Sequence, residues 1–275
     1  MLFRSNVLSF SMSGYNEGML TGPALFFSPP TFGAHIDAVS CFITKVSKPQ
    51  RVGIIATSDA GSQGISTGVK EVLEDAGVSV AFETVPLGAT DVTVAVSKIR
   101  DSRPQLIFVA GVAQTGALTA KTVRDLGMKT PIFGWLAWGQ TPVLKLYSAA
   151  LNGVIHEGFL APLDPLPRQA TFVKTYQRNY NTLPDAYAAW GYDAVSMVGE
   201  AFRRVPNATQ KDGVKLARAI EGINYIGAAA TWRLQKYSQN DANKHTGMQA
   251  KDVIWMVIKN GDYYRIKKQP KACTG

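Results

Sequence analysis

The chain has 275 residues, of which 46% are hydrophobic and 18% charged, and no run is apolar for long enough to cross a bilayer, so the composition excludes a disordered polymer and a helical membrane span. Its net charge of +9 is scattered over predicted helices and is dense only in the tail RIKKQPK. Without a zinc-finger spacing or an aromatic RNA-binding signature beside it, that excess describes a basic surface and not a nucleic-acid partner.

The first residues, MLFRSNVLSFSMSG, lack the continuous apolar core of a secretory signal. Val7 to Phe10 predicts a buried strand ending in the polar loop Ser11, Met12, Ser13, Gly14, and Phe26 with Phe27 a short extended piece before two prolines. A helix is expected from Ala34 to Val46, then a linker, SKPQ. The stretch Arg51 to Gly77 is one strand, one loop and one helix. Val52 to Ala56 is a charge-free run rich in β-branched residues, which suits a strand covered on both faces. Ile65, Val69, Val72 and Leu73 then recur at helical spacing opposite Lys70, Glu71, Glu74 and Asp75, and Gly77 stands where a helix C-terminus favours a left-handed residue. Between them, SDAGSQG lies where a doubly wound sheet presents its carboxyl edge to the next helix.

The unit then repeats. A strand at VSVAFETV, a helix from Val92 to Arg100, a strand from Gln105 to Ala110, and a helix from Ala117 to Leu126 closed by Gly127 are followed by strands at PIFGW and GVIHEGFLA, with a helix from Pro142 to Ala150 between them. Short βα connections in series predict an α/β fold with a mostly parallel sheet and helices on both faces. After PLDPLP come three helices, Phe172 to Tyr180, Ala188 to Arg203 and Lys211 to Glu221. DVIWMVIKNGDYYRI closes the chain as a hairpin turning at Asn260-Gly261.

Signals for chemistry are few. Cys41 and Cys273 form no metal spacing, and their separation permits a disulfide without suggesting one. His35, His156 and His245 are far apart with no ligand spacing, which favours surface or hydrogen-bonded histidines over a metal site. No glycine-rich phosphate motif occurs, so no cofactor is expected. GSQG around Ser62 approaches a nucleophile elbow, but Ala60 stands two before the serine, and no acid and histidine follow in a fitting arrangement. Asp59, at a strand end, is chemically able to accept a phosphoryl group; the length of the chain argues against it.

The ordered set RVGIIATSDAGSQG, QLIFVAGVAQTGALTAKTVRDLGMKTPIFGW, FVKTYQRNYNTLPDAYAAWGYDAVSMVGEAF and the terminal hairpin resembles the type I periplasmic solute-binding proteins of ABC transporters, of the branched-chain amino acid and amide class, over nearly the whole chain. The resemblance implies a non-catalytic protein with a two-lobed α/β fold. Residues 1–46 would be part of the first lobe, 47–50 a hinge crossing, 51–161 the second lobe, 162–230 first-lobe helices and a crossing, and 231–275 the return crossing with the second-lobe hairpin. It further implies a small-molecule ligand, a membrane permease as partner, no insertion of the protein itself into the membrane, and a periplasmic or cell-surface location. The opening βα units of the family have no counterpart here. An incomplete first lobe, with an unpaired strand edge and uncovered helix faces, is the expected result, with weak stability or self-association following from it.

Carried over by position, the first-lobe ligand contacts fall on Ser11, Met12, Ser13 and Ser28, where hydroxyls and backbone N–H groups can hold a carboxylate; the plainer reading is a serine-rich turn. The second-lobe contacts fall on Gly61, flanked by Asp59 and Ser62, and on Val112 and Ala113. The acidic residue that receives the ligand ammonium in amino-acid binders falls on Leu136, between Trp135 and Trp138. Trp135, Trp138 and Tyr187 could form apolar walls or belong to the core. A buried ammonium left without a carboxylate costs several kcal/mol. The ligand expected is therefore one without a free α-amino group, an aromatic or aliphatic carboxylate or an amide-like solute. An α/β hydrolase-like enzyme using Ser62 and a ligand-sensing receptor domain of the same fold are the alternatives.

Overall fold

The computed structural model describes residues 6–12, 22–136, 141–238 and 245–273, so Ser13 and Trp138 lie outside the described residues. The chain divides into two compact units, Met1–Ala34 with Pro165–Asp252, and His35–Asp164 with Val253–Gly275.

The second unit carries the repeated βα pattern. Strands β3 (Arg51–Thr57), β4 (Ser79–Val85), β5 (Leu106–Ala110), β6 (Ile132–Gly134) and β7 (Ile155–Gly158) pair in parallel in the spatial order β7-β6-β5-β3-β4. The hairpin β10 (Ile254–Lys259) and β11 (Asp262–Arg265) extends the sheet antiparallel beside β7. Its turn residues, Asn260 and Gly261, have φ of 53° and 78°, the two positive values that a primed two-residue turn requires. Every residue of β3 after Arg51 is buried, as its uninterrupted apolar sequence demands.

The helices differ from the expected ones mainly at their ends. Helix α1 (Phe32–Cys41) gives way to a π-helical turn, Phe42–Ser47, that Lys48 ends with φ of 49°. Helix α2 (Ala60–Asp75) starts five residues before Ile65, turning most of the expected loop SDAGSQG into helix, and α3 (Thr93–Asp101) falls where the periodicity puts it. Helix α4 (Ala113–Asp125) starts four residues before the expected Ala117, turning most of the predicted loop GVAQTG into its first turn. The helix expected from Pro142 to Ala150 is broken at Tyr147 into α5 (Thr141–Leu146) and α6 (Ser148–Leu151). A disulfide joins Cys41 to Cys273 across 232 residues of chain, tying the end of α1 to the tail.

In the first unit, β1 (Ser9–Ser11) and β2 (Leu25–Phe27) form a parallel pair, so Ser11 is the last strand residue and not the first of a loop. Helices α7 (Pro167–Tyr180) and α8 (Ala186–Arg204) both begin earlier than their apolar patterns suggest. Pro167 is tolerated at N1 because its missing N–H has no intrahelical partner there, and the Asp185 carboxylate caps α8 by accepting from Ala188 N at 2.9 Å. Helix α9 (Gly213–Ile220) leads to a hairpin that the sequence pattern does not announce, β8 (Asn224–Ile226) with β9 (Thr231–Arg233). Phe26, Trp190, Met197 and Trp232 are fully or nearly fully buried in this unit.

Candidate ligand site

Six of the candidate residues gather at the carboxyl edge of the second unit's sheet. Asp59 and Gly61 follow β3, Val112 and Ala113 follow β5, and Trp135 and Leu136 follow β6, and these three strands are neighbours in the order β6-β5-β3. Parallel strands end on the same side, so one βα pattern repeated three times places these loops together.

The first loop is held by a polar knot. Asp59 is the N-cap of α2, its Oδ1 accepting from Ser62 N at 2.9 Å, while Thr57 Oγ1 donates to Oδ2. Thr57 Oγ1 also lies 2.8 Å from Ser62 Oγ and accepts from Val112 N at 3.3 Å, which links the ends of β3 and β5. Burial alone would raise the Asp59 pKa, but the bonds from Thr57 and Ser62 outweigh it and hold the carboxyl below its ordinary range. The Ser62 side chain is wholly buried and hydrogen-bonded within this knot, so the geometry gives no support to a serine nucleophile.

The second loop depends on Gly111. A Cβ there would stand 2.5 Å from Gly116 Cα and 3.0 Å from Gly116 N, backbone atoms of the first turn of α4. Gly111→Ala is accordingly expected to push α4 away from β5 and to lower stability by about 1–3 kcal/mol, measured as a shift in urea unfolding midpoint. A midpoint equal to that of the wild type would show that the turn gives way freely.

Trp135 and Leu136 are both buried. Leu136 has one methyl 3.9 Å from where a Cβ on Gly158 would be, and Trp135 meets the His35 ring edge-on with centroids 6.0 Å apart. In the first unit, Ser11 and Ser28 are brought together at the ends of β1 and β2 by the bond from Ser28 N to Ser11 O at 2.9 Å. Met12 follows Ser11 and is half-buried. Ser28 is completely buried, and its hydroxyl has no partner among the described residues. Tyr187 stands in the first turn of α8, edge-on to Trp190 at 5.1 Å.

All three histidines are buried, and none is part of a metal cluster among the described residues. His245 bonds to Leu25 O and Glu221, and His35 bonds to Glu157. Glu157, on β7, is a wholly buried carboxylate. A second concavity, about 620 Å³, lies between α7 and α8 and is lined by Phe172, Tyr176, Tyr180, Tyr192 and Tyr225. Arg168 at its edge is already committed to Gly227 O and Ala228 O.

A mostly parallel α/β sheet with its loops converging at one carboxyl edge is the architecture of a ligand-binding α/β protein, in which function resides in the loops and not in the framework. The chain belongs to the periplasmic binding protein family, whose model matches residues 2–253, and its fold is the type I form. Family and fold are those of solute-binding proteins. A leucine-, isoleucine-, valine-, threonine- and alanine-binding protein from Pseudomonas aeruginosa is 23% identical over 189 residues, 67% of this chain and 48% of that protein. The chain spans about half the length of the curated relatives it matches. Among solved structures, a leucine-binding protein from Thermotoga maritima superposes with a TM-score of 0.79 at 19% identity, covering 94% of this chain and 71% of that one. An ABC transporter solute-binding protein from R. palustris, in complex with benzoate, gives 0.76 at 17% identity, covering 90% and 66%. No helix among the described residues is long and apolar enough to cross a membrane.

Proposed function

We propose that the protein is the substrate-binding component of an ABC importer, taking up a small solute without a free α-amino group by hinge closure and presenting it to a membrane permease. The solute class is an aromatic or aliphatic carboxylate or an amide-like compound. Contacts from Ser11, Met12, Ser13, Ser28, Asp59, Gly61, Val112, Ala113, Trp135, Leu136 and Tyr187 form the candidate set.

The observation that carries this reading is the chemistry of the second unit's sheet edge. Position 136 holds a buried leucine, and the carboxylate of Asp59 has both oxygens engaged by Thr57 and Ser62. Asp59 is thus already occupied in capping α2 and tying it to β3, and an ammonium brought to it would have to share those oxygens. Closure itself needs a ligand with greater affinity for the closed form than for the open one. The disulfide between Cys41 and Cys273 fits an oxidising compartment such as the periplasm.

Thermal-shift assays against aromatic acids, short amides and amino acids test the reading. A rise in Tm with one of the first two classes and none with amino acids is expected. A rise confined to amino acids would overturn the ligand class, and turnover of an ester probe that Ser62→Ala abolishes would overturn the binding role.

A further inference from the structure

On the second unit's sheet, Glu157 has an unusual setting. The register pairs Phe133 with Ile155 and Gly134 with His156; Trp135 follows directly at the end of β6, and its ring meets the His35 ring edge-on with centroids 6.0 Å apart. Trp255 of β10 is the partner of Glu157 in the sheet. Helix α1 covers them: His35 Nδ1 meets Glu157 Oε1 at 2.9 Å, and Phe42 packs on Trp255 and Phe133. The surroundings of the carboxylate are thus almost entirely aromatic.

Only half of this carboxylate is satisfied. Glu157 Oε2 and Trp135 Nε1 are both buried with no hydrogen-bond partner among the described residues, although Glu157 is wholly buried and Trp135 only 8% exposed. His35 adjoins both residues, and a buried acceptor and a buried donor that are each left unpaired together cost several kcal/mol and are rare in native proteins. Both stand at the end of the sheet where the candidate ligand loops converge.

We propose that Trp135 Nε1 and Glu157 Oε2 form a carboxamide subsite, with His35 as a positioning residue that occupies Oε1 and leaves Oε2 to the ligand. The subsite rests on the solute-binding reading above and narrows it. An amide oxygen accepts from the indole N–H while the amide N–H donates to Oε2, so one planar group satisfies both. A ligand carboxylate satisfies the indole alone and sets a second anion against Glu157; an ammonium satisfies Oε2 alone and leaves the indole unpaired. The amide form of a solute is therefore preferred over both the acid and the amine.

Titration calorimetry with matched sets on the full chain decides the matter: isovaleramide, isovalerate and isopentylamine, and benzamide, benzoate and benzylamine. In the wild type, the amide of at least one set is expected to bind tenfold or more tightly than its acid and its amine. Glu157→Gln presents an N–H where Oε2 was, so it is expected to reverse the amide-over-acid preference, whereas a purely structural role for Glu157 would weaken all members alike. Trp135→Phe, which removes only the indole donor, is expected to weaken amide binding several-fold without reversal, and it serves if the Glu157 variant fails to fold. Preference for an acid or amine in the wild type, or a uniform loss in Glu157→Gln, overturns the subsite. Binding of other solutes but of no member of either set overturns the subsite and leaves the solute-binding reading standing; no binding by any solute overturns both.

Discussion

Asp193→Ala is expected to lower the unfolding free energy by about 3–5 kcal/mol, the cost of stripping a buried carboxylate from the donors it serves. Asp193 lies on the buried face of α8 with no exposed surface. Its carboxylate accepts from Ala228 N at 2.7 Å, Ala229 N at 2.8 Å and Trp232 Nε1 at 2.9 Å, so it anchors the loop between β8 and β9 to the helix. The fit is close: a Cβ on Gly227 would stand 2.2 Å from Asp193 Oδ2. Alanine at 193 leaves three buried donors unpaired. Asparagine should cost less than alanine but more than nothing: its amide oxygen can keep the bonds from Ala229 N and Trp232 Nε1, while its NH2 is then set against Ala228 N. Urea unfolding of both variants checks this. An alanine variant within about 1 kcal/mol of the wild type would show that water replaces the carboxylate without penalty.

Acid is expected to destabilise the protein through His156. This side chain is wholly buried on β7 beside the Tyr263 ring, with centroids 5.2 Å apart. Burial lowers its pKa from 6.5 to about 4, although the neighbouring backbone at Glu157 and Trp135 favours the proton. The unfolded chain therefore binds a proton as pH falls below about 6.5, and the folded chain does not until about 4. Stability is fully present above the unfolded value and is lost as pH falls through this window. The gap between 6.5 and about 4 corresponds to roughly 3 kcal/mol at most, of which roughly 2–3 kcal/mol is reached by about pH 4.5. Comparing wild type and His156→Leu at about pH 7 and about pH 4.5 isolates the contribution, since the carboxylates titrate in both. An equal acid loss in the two proteins would sink the assignment.

The legibility of the fold follows the range of the forces involved. The βα units are readable because a strand buried on both faces and a helix buried on one leave their period in consecutive residues, as in Val52–Ala56 and Ile65–Leu73. Asn260-Gly261 marks its turn because few dipeptides accept two positive φ values. The early starts of α7 and α8 have a local signal too, Pro167 at N1 and Asp185 at the N-cap, but the apolar pattern begins later and points to later starts. The hairpin β8–β9 has none, because its strands are three residues each and the glycine–alanine loop between them is held by Asp193 of α8.

The candidate site divides in the same way. Sequence by itself determined which loops follow which strands, and therefore that Asp59, Val112 and Leu136 share one sheet edge, because parallel strands joined by helices must all end on the same side. Only the tertiary structure decided what those residues are free to do. It committed Asp59 to Thr57 and Ser62, buried Ser62, joined Cys41 to Cys273, and set Glu157 against His35, 122 positions away in the chain, with Trp135 alongside. A carboxylate in a short buried strand carries no local sign of its partner. Whether it is a structural anchor or a place for a ligand depends on which distant groups the fold brings to its two oxygens, and among the described residues one of them is left over.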